Sequence, residues 1–215
     1  MARVQVIEKT LFTFDELSDE AKEKAREWWR EIEAQDWNGA ECVFEDACAV
    51  APILGIEFDT RPVKLMGGGT RHDPIVYYSG FWSQGDGACF EGSYGYAKGA
   101  SKAIREYAPQ DKTLHAIADG LQRVQKDHFY KLVARMTHSG HYYNSGCMTV
   151  AVEDDRDSYR DIGESEELIK CLVRNFADWI YSRLRDEYEY TMTDENVDEA
   201  IRINEYEFDE SGRIS

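Results

Sequence analysis

From Tyr77 to Tyr96 the chain reads Tyr-Tyr-Ser-Gly-Phe-Trp-Ser-Gln-Gly-Asp-Gly-Ala-Cys-Phe-Glu-Gly-Ser-Tyr-Gly-Tyr, which sets seven aromatic residues and five glycines around one short polar core, Ser83-Gln84-Gly85-Asp86-Gly87. Aromatic residues favour the pleated, half-buried surface of a sheet, and glycine reaches the positive φ that tight turns require. The segment therefore predicts a strand, a tight turn through Asp86-Gly87 and a returning strand.

The surrounding composition bounds what such a hairpin can belong to. A chain of 215 residues with 42% hydrophobic and 13% aromatic content is large enough to bury a core of its own, and one α+β domain is the expectation. The start lacks the basic and apolar run of a signal peptide, and no stretch approaches the roughly 18 apolar residues of a membrane span. A soluble, intracellular protein with no membrane partner is expected. The five cysteines, Cys42, Cys48, Cys89, Cys147 and Cys171, are odd in number and form no C-x-x-C pair, which speaks against a disulfide framework and a structural zinc site. Buried free thiols, no metal and no cofactor are expected.

The net charge of −17 is unevenly placed. Residues 1–56 carry 13 acids and 6 bases, residues 57–152 carry 9 and 11, and residues 153–215 carry 20 and 8. So acidic a chain repels phosphate, and no direct nucleic-acid binding is expected. The acidic ends serve either as a solvated surface or as a face that attracts a basic protein.

Periodicity places the elements. Ser18-Asp19-Glu20 offers a cap and a negative first turn before Ala21, Ala25, Trp28, Trp29 and Ile32 at helical spacing, predicting a helix over 18–34. A second apolar stripe from Val43 to Leu54 stops at Gly55, with Pro52 in its last turn. From Ile56 the period changes to two, and Pro62, Gly67-Gly68-Gly69 and Asp73-Pro74 break the chain into short extended pieces, the glycine run reading as a flexible loop. Helices follow over 98–107 and 113–125. A second hairpin runs from Phe129–Met136 to Cys147–Val152 through 138–146, and an acidic loop covers 153–161. One long apolar stripe over 165–190 predicts a helix lying across the sheet, Thr193 caps a short helix, and Tyr206 with Phe208 forms an edge strand. The reading is a single domain over 1–215, with a helical start at 11–55, sheet and inserted helices at 56–153, a long helix and acidic end at 162–208 and a flexible tail at 209–215. Its sheet is antiparallel or mixed, of four to five strands, with helices on one side.

Two places offer chemistry. Around the glycine-flanked turn, Trp82, Ser83, Gln84 and Asp86 can converge on a small ligand or on a partner's backbone, or can simply build the turn. In the second hairpin, His138, His141, Tyr142 and Tyr143 form a polar aromatic loop; two imidazoles three residues apart share a metal only if Gly140 turns the chain and a third ligand arrives from elsewhere. Neither G-x-G-x-x-G nor G-x-x-x-x-G-K-[ST] nor G-x-S-x-G occurs, and no catalytic residue is nominated. Cys147, near His138 and His141 across the hairpin, is the one thiol–imidazole pairing to check.

Four stretches together carry a resemblance. Phe12–Arg26, the Gly80–Gly92 hairpin (Gly-Phe-Trp-Ser-Gln-Gly-Asp-Gly-Ala-Cys-Phe-Glu-Gly), Ser139–Tyr143 and Asn204–Phe208 make the chain similar to a family of small phage and prophage proteins, some labelled antitoxin-like. The resemblance implies a mobile-element origin and a bacterial cytoplasm, and brings no catalytic residues to positions here. The functional expectation is a nonenzymatic acidic binding protein that engages a basic host or defence protein, in one version as an inhibitor imitating DNA. The alternative is a small-ligand sensor or ligand-processing enzyme with its pocket between the 80–92 and 138–146 hairpins.

Overall fold

The computed structural model describes residues 9–215, and the chain is α+β. Its residues group into two compact units: a larger one over Glu41–Arg185, and a smaller one made from the two ends of the chain, up to Ala40 and from Asp186.

The smaller unit starts with strand β1 (Phe12–Thr13) and a single 3-10 turn over Phe14–Glu16, where Glu16 accepts from the Thr13 N–H at 2.8 Å. Helix α1 (Asp19–Gln35) follows, capped as the sequence predicts: Ser18 Oγ accepts from the Ala21 N–H at 3.3 Å. From the far end of the chain come α6 (Asp194–Ile203) and β10 (Glu207–Phe208), and β10 pairs antiparallel with β1. The core is Phe14, Leu17, Ala21, Ala25, Val197, Ile201 and Phe208, rimmed by Trp28, Trp29 and Tyr206. Residues 209–215, read from sequence as a free tail, close a turn instead. Asp209 takes the N–H groups of Ser211 and Arg213 on one carboxylate oxygen, and Ser215 N–H returns to Glu207 O at 3.1 Å. A short polar sequence folds back here because one carboxylate satisfies the turn's donors.

The larger unit begins with α2 (Ala40–Leu54), which tolerates Pro52 in its last turn and ends at Gly55. Eight strands, β2 (Ile56–Phe58), β3 (Thr60–Lys64), β4 (Thr70–Pro74), β5 (Val76–Tyr78), β6 (Ala88–Phe90), β7 (Gly92–Tyr94), β8 (Leu132–His138) and β9 (Met148–Asp154), form three sheets. The principal sheet is antiparallel, of four strands, in the order β2-β7-β8-β9. β3 with β4, and β5 with β6, make separate two-stranded ribbons. The glycine run at 67–69 is thus the turn of the β3–β4 ribbon.

Between β7 and β8 lie α3 (Ala100–Tyr107) and α4 (Lys112–Asp127), and after β9 comes α5 (Glu164–Thr191), whose residues to Arg185 belong to this unit. Strand alternation turns Leu132, Ala134, Met136, Met148 and Val150 to the helices and Val133, Arg135, Ala151 and Glu153 away from them. On the helix side Phe176 of α5 meets Phe58, Phe90 and Trp179 with ring centroids 5.6–6.2 Å apart. Gln125 of α4, fully buried, is satisfied by both backbone groups of Leu132 at 2.6 and 3.1 Å and by the Tyr94 hydroxyl at 3.2 Å. The second predicted hairpin is present as β8–β9, with one difference: Phe129 and Tyr130 are a left-handed turn (φ 55° and 63°), not strand, so β8 starts at Leu132. Alternating apolar residues mimic a strand there, while the end of α4 forces the chain to reverse.

Candidate functional site

The predicted first hairpin exists, but its tight turn does not. β5 and β6 pair Val76 with Phe90, Tyr77 with Cys89 and Tyr78 with Ala88, and the Ser79 N–H closes the base on Gly87 O at 3.1 Å, leaving a loop over 79–87. Asp86 does not make a two-residue turn with Gly87; its Oδ2 accepts from the N–H groups of Trp82 (2.9 Å) and Ser83 (2.6 Å), holding a coil inside the loop. The positive φ falls on Gly85, at 98°. A longer loop wins because one carboxylate satisfies two backbone donors that a two-residue turn would not offer.

The loop is held from two sides. On one, the Tyr181 hydroxyl of α5 donates to Gly80 O at 3.1 Å and its ring stacks on Phe81 with centroids 5.9 Å apart. Burial, with the nearby Asp86 carboxylate adding to it, raises the Tyr181 pKa, so the hydroxyl stays a donor. On the other, the loop connecting β8 to β9 packs directly against it. Asn144 Nδ2 donates to Gly85 O at 3.0 Å while Asn144 Oδ1 accepts from the Cys147 N–H at 3.2 Å, so one amide ties both loops. A Cβ on Gly87 would lie 2.5 Å from the Asn144 Cβ, and one on Gly85 would lie 3.0 Å from the Tyr142 ring.

The sequence-nominated residues therefore meet on one composite loop in distinct situations. Asp86 is spent on the backbone. His138 donates from Nε2 to Tyr142 O at 2.9 Å, and its ring lies 5.5 Å from Tyr77 and 5.3 Å from Tyr143, which stack on each other at 5.1 Å. Trp82 is 75% exposed and Tyr142 58%, and Ser83, Gln84 and His141 are also exposed. His138 pairs with Met148, so Cys147 is next in sequence to its cross-strand partner. Among the described residues no three His, Cys, Asp or Glu side chains are grouped for a metal ion. Two large cavities in this unit, of about 1120 and 960 Å³, take no lining residue from either loop. Asn144 and Tyr181, which set the loop's shape, escaped the sequence reading. The Asn-Ser-Gly run at 144–146 is a recognisable side-chain cap for a turn, whereas nothing local in the sequence links Tyr181 to Gly80.

What the composite loop can do follows from this inventory. Asp86 and His138 are committed to holding backbone, and what the loop offers outward is aromatic surface with amide and hydroxyl edges and the exposed His141 imidazole. That is the chemistry of a recognition surface.

Comparison with curated proteins and with solved structures finds no match. A family profile described as a domain of unknown function, DUF8835, matches residues 39–194, a span that nearly coincides with the larger unit at Glu41–Arg185. Because the match covers well over half of its length, the chain belongs to the DUF8835 family.

Proposed function

We propose that this chain is a nonenzymatic acidic binding protein, a phage or prophage accessory factor that acts in the cytoplasm of a bacterial host by engaging a basic host or defence protein. The observation that carries the proposal is the state of the composite loop. Asp86, Asn144 and His138 each hold backbone, Tyr142 stands exposed against Gly85, and Trp82 stands exposed on the same loop. Exposed Trp and Tyr on a pre-shaped loop are the side chains that most often dominate a protein interface, since they bring large contact area at little conformational cost.

The charge distribution supports a basic partner. The smaller unit alone carries 21 acids against 8 bases, −13 of the total −17. Glu20, Glu27 and Glu31, all exposed, fall on one face of α1, and a row of carboxylates of this kind is what a DNA-imitating inhibitor would present.

The test is capture from bacterial lysate by tagged wild-type protein and by Trp82→Ala/Tyr142→Ala, at low and high salt, followed by calorimetry with the captured partner. The expected outcome is a stoichiometric partner that the double variant binds at least about tenfold more weakly, with wild-type affinity falling as salt rises. Equal affinity of the double variant and wild type, or no partner at either salt, overturns the proposal.

A further inference from the structure

The side of the principal sheet turned away from α4 and α5 carries an open groove of about 1120 Å³. Its floor is a row in strict register across the four strands: Glu57 of β2 beside Ser93 of β7, Ser93 beside Arg135 of β8, and Arg135 beside Ala151 of β9. One step along, Val133 pairs with Glu153. The C-terminal turn of α2, with Cys48, Ala51 and Pro52, and the β3–β4 ribbon, with His72 and Pro74, also line the groove.

The charges in this groove are arranged unequally. Arg135, at its centre, is neutralised by Asp59: Nη1 donates to Oδ1 at 2.9 Å and Nη2 to Oδ2. Glu57 and Glu153 are exposed, and neither has an ion-pair partner among the described residues. They stand on the two edge strands, separated by three strand spacings, about 14 Å across the sheet. Across the sheet between them lie Ser93, Val133 and the Asp59-paired Arg135, and Ala151, Pro52 and Pro74 add further apolar lining.

We propose that this groove binds a linear aliphatic molecule with cationic groups at both ends, of the diamine or polyamine class. The methylenes lie against the apolar lining residues, and each ammonium reaches one of the two unpaired carboxylates. An anionic or neutral chain of equal length lacks this match, since the only guanidinium on the floor is already taken by Asp59. The site is separate from the composite loop, so it stands whether or not the loop binds a protein.

Of the five thiols expected to be buried, only Cys89 is; Cys48, exposed, supplies a reporter inside the groove, and Cys42 and Cys171, exposed on helix surfaces and absent from its lining, supply internal references. The experiment follows iodoacetamide alkylation of each thiol by mass spectrometry in the full chain, with and without diaminododecane, and with dodecanedioate as the anionic counterpart. The expected result is that the diamine slows alkylation at Cys48 alone and the dianion does not. Glu57→Gln and Glu153→Gln should each raise the diamine concentration for half protection by about threefold to fivefold, the range of a partly exposed ion pair. Ala151→Trp should abolish protection by filling the floor. Both glutamates are exposed, so their variants should keep the wild-type thermal midpoint. No protection of Cys48, equal protection by the dianion, equal slowing at all three thiols, or undiminished protection in the Glu57→Gln/Glu153→Gln double variant would each overturn the proposal.

Discussion

The two units of this chain are held together by different physics. In the larger unit the central contacts are rings and aliphatic side chains with almost no exposure, Phe90, Phe176, Leu132, Met136 and Met148 among them, and its buried Gln125 is fully hydrogen-bonded. In the smaller unit the core is short and includes two alanines, and charge surrounds it. Arg26 forks onto Asp198 at 2.6 and 2.9 Å, Arg30 pairs with Asp194, and Arg202 pairs with Asp15 at 2.9 Å. Lys22, Arg26 and Arg202 all stand over the Phe14 ring at 5.2–5.9 Å. Apolar contacts do not titrate, whereas a small core leans on charge-assisted bonds that do. The family match follows the same division, covering the apolar unit and leaving most of the charged one outside.

The largest effect should come from Phe176→Ala, which empties the ring cluster with Phe58, Phe90 and Trp179; urea unfolding should register a loss of about 3–5 kcal/mol. A cost below about 1 kcal/mol would remove the contrast between the units. Next is Gly212→Ala in the smaller unit. Gly212 has φ 82°, and a Cβ there would sit 2.0 Å from Ala21 O, so the terminal turn must shift away from α1. The expected loss is about 2–3 kcal/mol, read by the same denaturation curve.

Arg26→Met should follow at about 2 kcal/mol, because it leaves Asp198, whose side chain is only 16% exposed, with only Arg202 at 3.9 Å as an ion-pair partner. Asp198→Asn in the Arg26→Met background should recover part of the loss. The counterpart in the larger unit, Arg105→Met against Asp119, should cost under about 1 kcal/mol, since both of those side chains are over 40% exposed.

Acid should loosen the smaller unit by a smaller margin. The hydrogen bond from Arg26 holds the Asp198 carboxyl below the usual aspartate range. With the folded value depressed, its contribution is complete above the unfolded value of about 3.9 and is lost as pH falls through the folded one. The indole N–H signals of Trp28 and Trp29 should therefore report loosening below about pH 4, and Asp198→Asn should flatten that dependence. The smallest effect belongs to Glu20→Gln. It breaks an exposed pair with Lys24 at 3.3 Å and should change stability by under about 0.5 kcal/mol at any salt concentration.

Local signals in the sequence were read correctly where one short stretch contains all the determinants. The cap at Ser18, the stripe that became Glu164–Thr191, the switch to period two at Ile56 and the β8–β9 hairpin are of this kind. The site was legible in part. Both loops were nominated, and their contact was required only by the ligand-pocket reading. Their internal chemistry was not visible: Asp86 looked like a turn residue or a ligand and proved to be a backbone acceptor, because the sequence does not say which donors a carboxylate will meet.

By itself, then, the sequence determined the helices, the Ser18 cap, the extended segments and the acidic bias, since each follows from side chains a few residues apart acting on one stretch of backbone; the cap expected of Thr193 is not made, because its hydroxyl donates to Tyr190 O at 2.8 Å instead. Only the tertiary structure decided the rest. It paired Phe12 with Phe208, joined Gly85 to Asn144, hung Gly80 on Tyr181, and put Glu57 and Glu153 on the two edge strands of one sheet, two residues out of register. Those contacts span tens to nearly two hundred residues of chain, and they form because burying apolar surface brings the segments together before any polar group can choose its partner.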